Sequence, residues 1–387
     1  MPFVTNTSPR WDLFTLEHEA LRASVRAFLD REVVPNIEEW ERRGDFPRTL
    51  YARFGELGFL GLKYPEEVGG SGPDMLADVV VIEELARIGS GGVAAGIGGH
   101  KDLGSYYVWR FGNGEQHKRW LVPSITGEVI GALGVTEPDA GSDVASLRTS
   151  AHREGDHFVV NGSKMFITNG SKADYVVTAV RTGGEGYQGI SLLVIECGTP
   201  GFEARRIETV GWRTSHTAEL SFTDCRVPAE NLLGEDGQGF IYIMQNFQWE
   251  RVAMALGAVS AGQHTLDKAI AYAQERHAFG RPIAKFQVWK HRFADLQTEL
   301  AAARALTYHA LRKMMAGEDA LREVSMAKAM ACEVAWKVAD EAVQVHGGYG
   351  YMMEFAAQRA WRDARLGPVG GGTTEIMREI IGKTLGL

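Results

Sequence analysis

The amino-acid sequence predicts a mainly α-helical protein with a β-rich domain in the middle of the chain. In residues 1–126, apolar side chains recur at helical spacing. Residues 127–236 contain short runs of β-branched residues separated by Gly, Asp and Asn. Residues 237–387 return to long, alanine-rich periodic runs. The sequence therefore favours three domains in the order helical, β and helical, with these boundaries.

The first domain is predicted to contain several amphipathic helices. The first covers residues 15–34, where Thr15 is suited to cap the start and Pro35 to end the helix. A second helix follows Pro47, because proline is tolerated in a first helical turn. Further helices are predicted over residues 75–88 and 112–122.

The middle domain is predicted to form an antiparallel sheet or barrel, because no helical crossovers separate its β-rich runs. The clearest runs cover residues 158–160, 175–180, 190–195 and 218–222. The last domain reads as a helix bundle, since several of its periodic runs approach or exceed 25 residues. Its predicted helices cover residues 239–274, 287–316, 320–346 and 374–385.

Composition and charge argue against several classes of function. The chain of 387 residues has a net charge of −8, so it lacks the basic balance typical of nucleic-acid-binding proteins. Its 3 cysteines lie in no CxxC spacing and its histidines in no metal-binding spacing, so no metal site or disulfide framework is expected. Residues 1–11 do not resemble a signal peptide, and no apolar run is long enough to span a membrane. We therefore expect a cytoplasmic protein.

Four motifs combine glycine, aromatic and polar residues in patterns that suit a ligand. They are residues 133–143 (LGVTEPDAGSD), 161–170 (NGSKMFITNG), 275–283 (ERHAFGRPI) and 342–351 (AVQVHGGYGY). Each motif alone has an ordinary reading as a turn, a strand end or a helix end. Their occurrence together, in this order and around a β-domain between helical domains, is much more specific.

The four motifs resemble those of the acyl-CoA dehydrogenase family, and the resemblance extends over nearly the whole chain, including residues 64–70 and 356–365. It implies an N-terminal helical domain, a middle antiparallel β-barrel and a C-terminal four-helix bundle. It also implies FAD as cofactor, an acyl-CoA substrate and a homo-oligomer, usually a tetramer. The cofactor-binding positions that it implies in one subunit are Val135, Thr136, Phe166, Ile167, Thr168 and Thr373. Those implied to reach the FAD of a neighbouring subunit are Arg276, Phe279, Gln287, Gln344 and Gly348.

Phe166 departs from the family pattern, which most often has Trp at this position. Phenylalanine keeps a flat apolar wall but loses the indole N–H, so only a packing role is expected for it. The resemblance further implies that Ser142 and Arg251 lie beside the substrate. The alternative for Arg251 is a salt bridge to Glu250 or to another neighbouring acid.

The position of the catalytic base is the most informative departure. Many family members carry a glutamate in a Tyr-Glu-Gly-Thr loop, but here that loop reads Gly370-Gly371-Gly372-Thr373. Gly371 cannot abstract a proton, although its backbone N–H can still bond a thioester oxygen. Long-chain and isovaleryl-type members carry the base on a bundle helix before an Arg, and Glu250-Arg251 matches that pattern. We therefore interpret Glu250 as the general base, against the alternative of a surface helix charge.

The resemblance thus implies α,β-dehydrogenation of an acyl-CoA to the trans-2-enoyl-CoA, with an electron-transferring flavoprotein as electron acceptor. The alternatives are an acyl-CoA oxidase and a non-catalytic FAD-bearing assembly factor. A medium, long or branched acyl chain is expected, because six glycines occur where the family has its acyl pocket and would leave room for a tail. These are Gly89, Gly91, Gly92, Gly96, Gly98 and Gly99. The alternative is that they permit tight helix packing or a loop.

Overall fold

The first helix begins where the sequence predicts. The structure, a computed structural model, describes residues 13–387. Residues 1–12, on which the prediction about a signal peptide depends, lie outside the described residues. The Thr15 hydroxyl accepts the N–H of His18 at 3.4 Å, which caps the helix. Pro35 does not end the helical path: it lies in the first turn of a 3₁₀ segment, where its missing N–H is not needed, and a second helix follows.

The N-terminal domain is built from short helices joined by tighter or wider turns. Three π-helical segments, Leu29–Val33, Gly99–Gly104 and His117–Leu121, interrupt the α-helices. The α-helices are α1 (Leu16–Phe28), α2 (Ile37–Arg43), α3 (Thr49–Glu56), α4 (Met75–Ala86), α5 (Gly91–Gly98), α6 (Ser105–Phe111), α7 (Gly114–Gln116) and α8 (Val122–Ile125).

Helix α5 is rich in glycine because its neighbours leave no room for larger side chains. A Cβ atom on Gly91 would lie 2.6 Å from the Trp212 indole nitrogen, and one on Gly96 would lie 2.7 Å from Phe46. A Cβ on Gly92 would overlap the side chain of Thr214. The expectation that these three glycines widen an acyl pocket is therefore wrong, and the alternative of tight helix packing is confirmed for them.

The middle domain is a mixed, open sheet. Its strands are β1 (Gly131–Gly134), β2 (Ser150–Glu154), β3 (His157–Ile167), β4 (Tyr175–Arg181), β5 (Ile190–Glu196), β6 (Phe202–Arg206), β7 (Ala218–Pro228) and β8 (Leu232–Leu233). The order is β6-β7-β3-β2-β4-β5-β8, and β1 pairs with β4.

The predicted antiparallel barrel is wrong in two respects. Strand β1 runs parallel to β4, and β2 also meets β4 in parallel at one residue pair. Strands β2 and β3 lie between β1 and β4 in the sequence, and β3 lies between β2 and β4. Neither pair is therefore joined by a tight turn that would make its strands antiparallel. Within the described residues no ladder joins the edge strands β6 and β8, so the sheet does not close.

The C-terminal domain is a helix bundle, and four of its helices have bounds within one or two residues of the predicted ones. These are α9 (Gly239–Glu275), α10 (Gln287–Met315), α11 (Leu321–His346) and α13 (Thr374–Thr384). The short helix α12 (Ala356–Ala364) and a small hairpin of β9 (His277–Ala278) and β10 (Arg281–Pro282) were not predicted. Val252 and Leu256 of α9 pack with Leu311 of α10 and Ala327 of α11 in one buried cluster. None of the described helices is long and apolar enough to cross a membrane. The loop between α12 and α13 contains the glycines that replace the expected base.

The packing of α5 leads to a stability prediction. We expect Gly96→Ala to lower the free energy of unfolding by about 1–3 kcal/mol, because the new methyl group overlaps Phe46 and approaches Tyr51. The matched control is Gly98→Ala, whose nearest neighbour would be an Asp102 oxygen at 3.8 Å. Alanine is the better helix former by about 1 kcal/mol, so the control should be neutral or stabilising. Thermal unfolding of both variants measures the difference, and equal melting temperatures would contradict the packing argument.

Candidate active site

Glu250 is half-buried, and its carboxylate lies against the glycine loop. It follows the buried Trp249 on α9, and a Cβ on Gly371 would lie 3.5 Å from Glu250 Oε1. Within the described residues, no hydrogen bond or ion pair engages the Glu250 carboxylate. The alternative that Glu250 is an ordinary surface charge is therefore wrong. The structure brings together the two positions that the sequence singled out, although they are 121 residues apart.

The surroundings of Glu250 favour its protonated form. Burial is the largest effect and raises the pKa of Glu250 to about 7. Arg251 and Lys328 act in the opposite direction and lower the pKa, while Asp102 raises it. A carboxyl group that titrates near neutral pH can both accept and release a proton, as a general base requires.

Arg251 is buried, and no described residue forms a hydrogen bond with its guanidinium group. Its Nε has no hydrogen-bond partner, and its recorded contact is with the ring of Phe247, 5.8 Å from the centroid. No carboxylate of the described residues lies within salt-bridge distance, so the salt bridge considered as its alternative role does not form. Burial lowers the pKa of Arg251. A buried, unsatisfied guanidinium next to Glu250 is suited to a polar or anionic ligand group.

The glycine loop has a backbone shape that favours glycine. Gly371 has φ +61° and Gly372 has φ +90°, a region that other residues rarely adopt. No acceptor among the described residues takes the N–H of Gly371, although Gly370 and Thr374 donate to backbone carbonyls of the same loop. Thr373 caps α13 by accepting the N–H of Ile376 at 3.3 Å. The Gly371 N–H is therefore a free donor beside Glu250.

The motif at the end of β3 places its side chains on different sides. Phe166 has φ +63° and is 64% exposed, so one face of its ring is open. Ile167 is 3% exposed and packs in the core of the sheet, so only its backbone can face a ligand. Thr168 is half-buried and lies against the π-helical segment that follows α5: a Cβ on Gly99 would be 3.1 Å from its methyl group. Of the three, Phe166 and Thr168 have side chains available to a ligand.

A buried ion pair joins this motif to the motif after β1. Lys164 is fully buried and donates to Glu137 at 2.8 Å and to the carbonyl of Val135 at 3.2 Å. The Thr136 carbonyl accepts the N–H of Met165 at 2.8 Å. Val135 is buried, whereas Thr136 is half-buried and Ser142 is exposed. No pattern in the sequence marks this pair, which holds the two motifs side by side.

A second buried network, also missed, supports the helix that carries Glu250. It contains two lysines and two aspartates, Lys63, Asp78, Lys101 and Asp102. Asp102 Oδ1 accepts from both lysines and from the Trp249 indole at 3.1 Å. Lys101 also donates to Asp78 at 2.5 Å. Pairing of the charges offsets part of the cost of burying them, and the network fixes Trp249 at the position before Glu250.

Family models match the chain in three consecutive blocks. The N-terminal domain of acyl-CoA dehydrogenase matches residues 15–128, the middle domain residues 132–225 and the C-terminal domain residues 237–386. The chain belongs to the acyl-CoA dehydrogenase family. The family predicted from the motifs is confirmed, while the position of the catalytic base stays a prediction.

Individual relatives and structures agree with this assignment. The mitochondrial long-chain specific acyl-CoA dehydrogenase of Sus scrofa is 39% identical over 377 residues, which cover 96% of this chain and 87% of that relative. A probable acyl-CoA dehydrogenase of Mycobacterium abscessus superposes with a TM-score of 0.93 at 47% identity, covering 96% and 99% of the two chains. A glutaryl-CoA dehydrogenase of Mycobacterium smegmatis, solved in complex with FADH2, has a TM-score of 0.90 at 30% identity and covers 96% and 95%.

The remaining predicted cofactor positions of this acyl-CoA dehydrogenase lie far from Glu250. They are Arg276, Phe279, Gln287, Gln344 and Gly348, all of them exposed. Arg276 stands 26 positions after Glu250, at the end of the continuous helix α9. A rise of about 1.5 Å per residue separates them by about 39 Å. The structure therefore does not bring these five residues to the Glu250 site within one chain.

The raised pKa of Glu250 has a consequence for stability that needs no turnover measurement. Its pKa is about 7 in the folded protein, above the ordinary 4.5, so ionisation destabilises the fold as the pH rises through that interval. We expect Glu250→Gln to raise the free energy of unfolding at pH 8 by on the order of 1–3 kcal/mol and to change it little at pH 4.5.

The control for this prediction is Glu275→Gln, an exposed glutamate at the end of the same helix. It should alter the melting temperature equally at both pH values. Thermal unfolding across this pH range measures both variants. A Glu250→Gln variant that loses stability at pH 8 would show that the carboxylate is not desolvated.

Proposed function

We propose that this protein catalyses FAD-dependent α,β-dehydrogenation of an acyl-CoA thioester, with Glu250 as the general base. The observation that carries the proposal is that the desolvated, unpartnered Glu250 carboxylate lies next to the free N–H of Gly371. The distance is short, since a Cβ built on Gly371 would lie 3.5 Å from Glu250 Oε1. One group can take a proton from the α-carbon while the other bonds the oxygen of the same thioester. The location of Glu250 against the glycine loop argues against a non-catalytic assembly factor.

The side chains near the sheet fit a flavin. Phe166 presents an open aromatic face, which suits one side of a flat heterocycle. The hydroxyls of Thr136, Thr168 and Ser142 are at least partly accessible and can bond ring nitrogens, ring oxygens or phosphates. We propose that Phe166, Thr136 and Thr168, with the backbone of Ile167 and with Val135 and Thr373, hold FAD, and that Ser142 serves the substrate. When bound, FAD supplies a two-electron acceptor for the β-hydrogen.

The residues of this chain remove the α-proton and bind the thioester oxygen. Glu250 removes the α-proton as a carboxylate and becomes the neutral acid. The Gly371 N–H bonds the thioester oxygen, on which negative charge develops, and such donors act strongly in a water-excluded site. The product is the trans-2-enoyl-CoA, formed by loss of one proton to Glu250 and of one hydride. Arg251 lies beside Gly372 and is available to a polar group of the substrate.

The residues at the end of the bundle favour a homo-oligomer, which we propose is a tetramer. Arg276 lies about 39 Å along α9 from Glu250, so it can contact FAD only at the site of a neighbouring subunit. The same end exposes large apolar side chains, including Phe279 at 95% and Tyr351 at 88%. Exposed patches of this kind typically mark protein–protein contacts.

We further propose an electron-transferring flavoprotein as electron acceptor rather than oxygen, because relatives that the chain matches over most of their length are named dehydrogenases. Oxygen consumption with acyl-CoA discriminates between the two. A medium, long or branched acyl chain now rests on the family resemblance and on Gly89 and Gly98, where an added Cβ would meet nothing closer than 3.8 Å, since the packed Gly91, Gly92, Gly96 and Gly99 do not support it. The cytoplasmic location stays a prediction.

Removal of the carboxylate tests the base assignment. We expect Glu250→Gln to lower the rate of flavin bleaching by acyl-CoA under anaerobic conditions by at least about 10²-fold, because glutamine cannot accept the α-proton. FAD content and acyl-CoA binding should stay close to those of the unchanged protein. Glu275→Gln is the matched control. Near-normal bleaching by the Glu250→Gln variant would refute the assignment.

Transfer of the base to the loop position provides a second arm of this test. In the Glu250→Gln background, Gly371→Glu alone should restore little activity, since its Cβ would overlap Met254 Sδ and its φ is +61°. Adding Met254→Ala removes the overlap, and we expect measurable bleaching to return. Equal recovery with and without Met254→Ala would contradict the steric argument.

The shared cofactor site is tested at Arg276. We expect Arg276→Ala to weaken FAD retention about tenfold or more, because it removes a charge-assisted phosphate contact. Arg281→Ala, in the same hairpin, is the control and should retain FAD. Flavin content after dialysis and the mass of the assembly by light scattering are the measurements. A monomer that keeps FAD tightly after Arg276→Ala would be inconsistent with a shared site.

A further inference from the structure

Lys328 is a buried cation that bonds two backbone carbonyls of the segment containing the glycine loop. It lies on α11 and is fully buried. Its Nζ donates to the carbonyl of Gly367 at 2.8 Å and to that of Gly372 at 2.5 Å. No carboxylate among the described residues lies within salt-bridge distance of it. Burial of an ammonium group without an ion pair is costly, so this lysine needs a reason beyond packing.

The hydrogen bonds within the loop leave its central residues without backbone partners, so the contact with Lys328 is needed to hold them. Gly370 donates to the carbonyl of Leu366, and Thr374 donates to that of Pro368. Gly371 and Gly372, which lie between them, make no backbone hydrogen bond as donors within the described residues. Three successive glycines are conformationally permissive, so an external tie is needed to fix the peptide that carries the Gly371 N–H.

The charge of Lys328 also acts on the site itself. Among the groups that affect the pKa of Lys328, Glu250 and Arg251 belong to α9, Cys332 to its own helix and Glu375 to α13. Burial, the largest effect, lowers the pKa of Lys328. Lysine at 328 is in turn one of the groups that lower the pKa of Glu250. This contrasts with the network around Asp102, where two lysines face two aspartates and the charges balance.

We propose that Lys328 is a positioning residue for dehydrogenation: by holding the carbonyls of Gly367 and Gly372 on either side of Gly371, it keeps the Gly371 amide directed toward the thioester oxygen, and it adds a positive charge to the site. The proposal rests on the proposed function for its chemical role, while the tie to the loop is independent of it. A hydrogen-bond donor that must meet a transition-state oxygen has to be held in place beforehand, since misplacement by about 1 Å is costly.

The experiment compares Lys328→Met, Lys328→Gln and Lys328→Arg in the FAD-loaded protein. Lys337→Met is the matched control, because Lys337 lies on the same helix but is exposed and pairs with Glu299. The first measurement is amide hydrogen exchange of residues 370–374, which requires no turnover. We expect exchange at Gly370 and Thr374, whose N–H groups bond the carbonyls of Leu366 and Pro368, to become at least about tenfold faster in Lys328→Met and to be unchanged in Lys337→Met.

Kinetics then separate positioning from general damage. We expect Lys328→Met and Lys328→Gln to lower kcat by about 10²-fold, as for loss of an oxyanion donor, with KM changed less than about threefold. Lys328→Arg keeps the charge and the donors, so it should recover to within about tenfold of the unchanged protein.

The pH dependence of kcat tests whether the charge of Lys328 acts on Glu250. Glu250 is faced by Arg251 on its own helix, by Lys328 from α11, by Asp102 from the π-helical segment and by Tyr107 from α6. Removing Lys328 removes one of the two cations that lower the pKa of Glu250. The acid limb of the kcat profile should therefore move to higher pH in Lys328→Met and Lys328→Gln and stay in place in Lys328→Arg.

The outcomes are distinguishable. Unchanged exchange at Gly370 and Thr374, or kcat within about threefold of normal in Lys328→Met, would overturn the positioning role. If Lys328→Met does not fold, Lys328→Gln decides by the same criteria, and if both fail to fold while Lys328→Arg is fully active, Lys328 is structural and the proposal is overturned. Absence of flavin bleaching by any acyl-CoA in the unchanged protein would refute the proposed function, and exchange at Gly370 and Thr374 would still decide whether Lys328 holds the loop.

Discussion

The site depends on the desolvation of one carboxylate. Glu250 has no hydrogen-bond partner among the described residues, and burial places its pKa near 7 rather than near its ordinary value. Every nearby charge adjusts this balance, since Arg251 and Lys328 favour the ionised form and Asp102 the neutral one. An ionised carboxylate without partners destabilises the folded state, so other interactions must stabilise the fold around it. The buried network around Asp102 fixes Trp249 beside Glu250, and the pair of Lys164 with Glu137 joins two motifs of the sheet, so both add to that support.

The length of α9 imposes a second constraint. One helix of 37 residues carries Glu250 near its start and ends just before Arg276. A straight helix cannot bring both residues to one small ligand, because they are separated by about 39 Å. Either the bundle-end residues serve no cofactor, or they serve the cofactor of another subunit. The exposed aromatic side chains at that end favour the second explanation, since they give it a contact surface.

The sequence predicted those parts of the structure that carry a periodic signal. Helices α9, α10 and α11 are long and amphipathic, and their bounds were predicted within one or two residues. Helix α5 was not predicted, because glycine is a poor helix former and only the close approach of Trp212 and Phe46 requires it there. The open, mixed sheet was missed because strand direction depends on partners distant in sequence. The contact between Glu250 and the Gly371 loop was inferred from a missing carboxylate, whereas Lys328 and the pair of Lys164 with Glu137 show no pattern in the sequence that marks them.

The geometry also explains how a base can occupy either of two positions on one scaffold. A Cβ on Gly371 would lie 3.5 Å from Glu250 Oε1, so side chains from α9 and from the loop reach the same space. Only one of them can fill that space, and two carboxylates there would repel each other and raise each other's pKa. In the proposed assignment the base lies on α9, and the loop retains two tasks, a free N–H and a tight turn, both of which glycine meets. Met254, one turn after Glu250, occupies the space that a loop side chain would need, since a Cβ on Gly371 would overlap its Sδ. Glycine at 371 and methionine at 254 are therefore both compatible with a base at 250, and a carboxylate on the loop would require a smaller residue at 254.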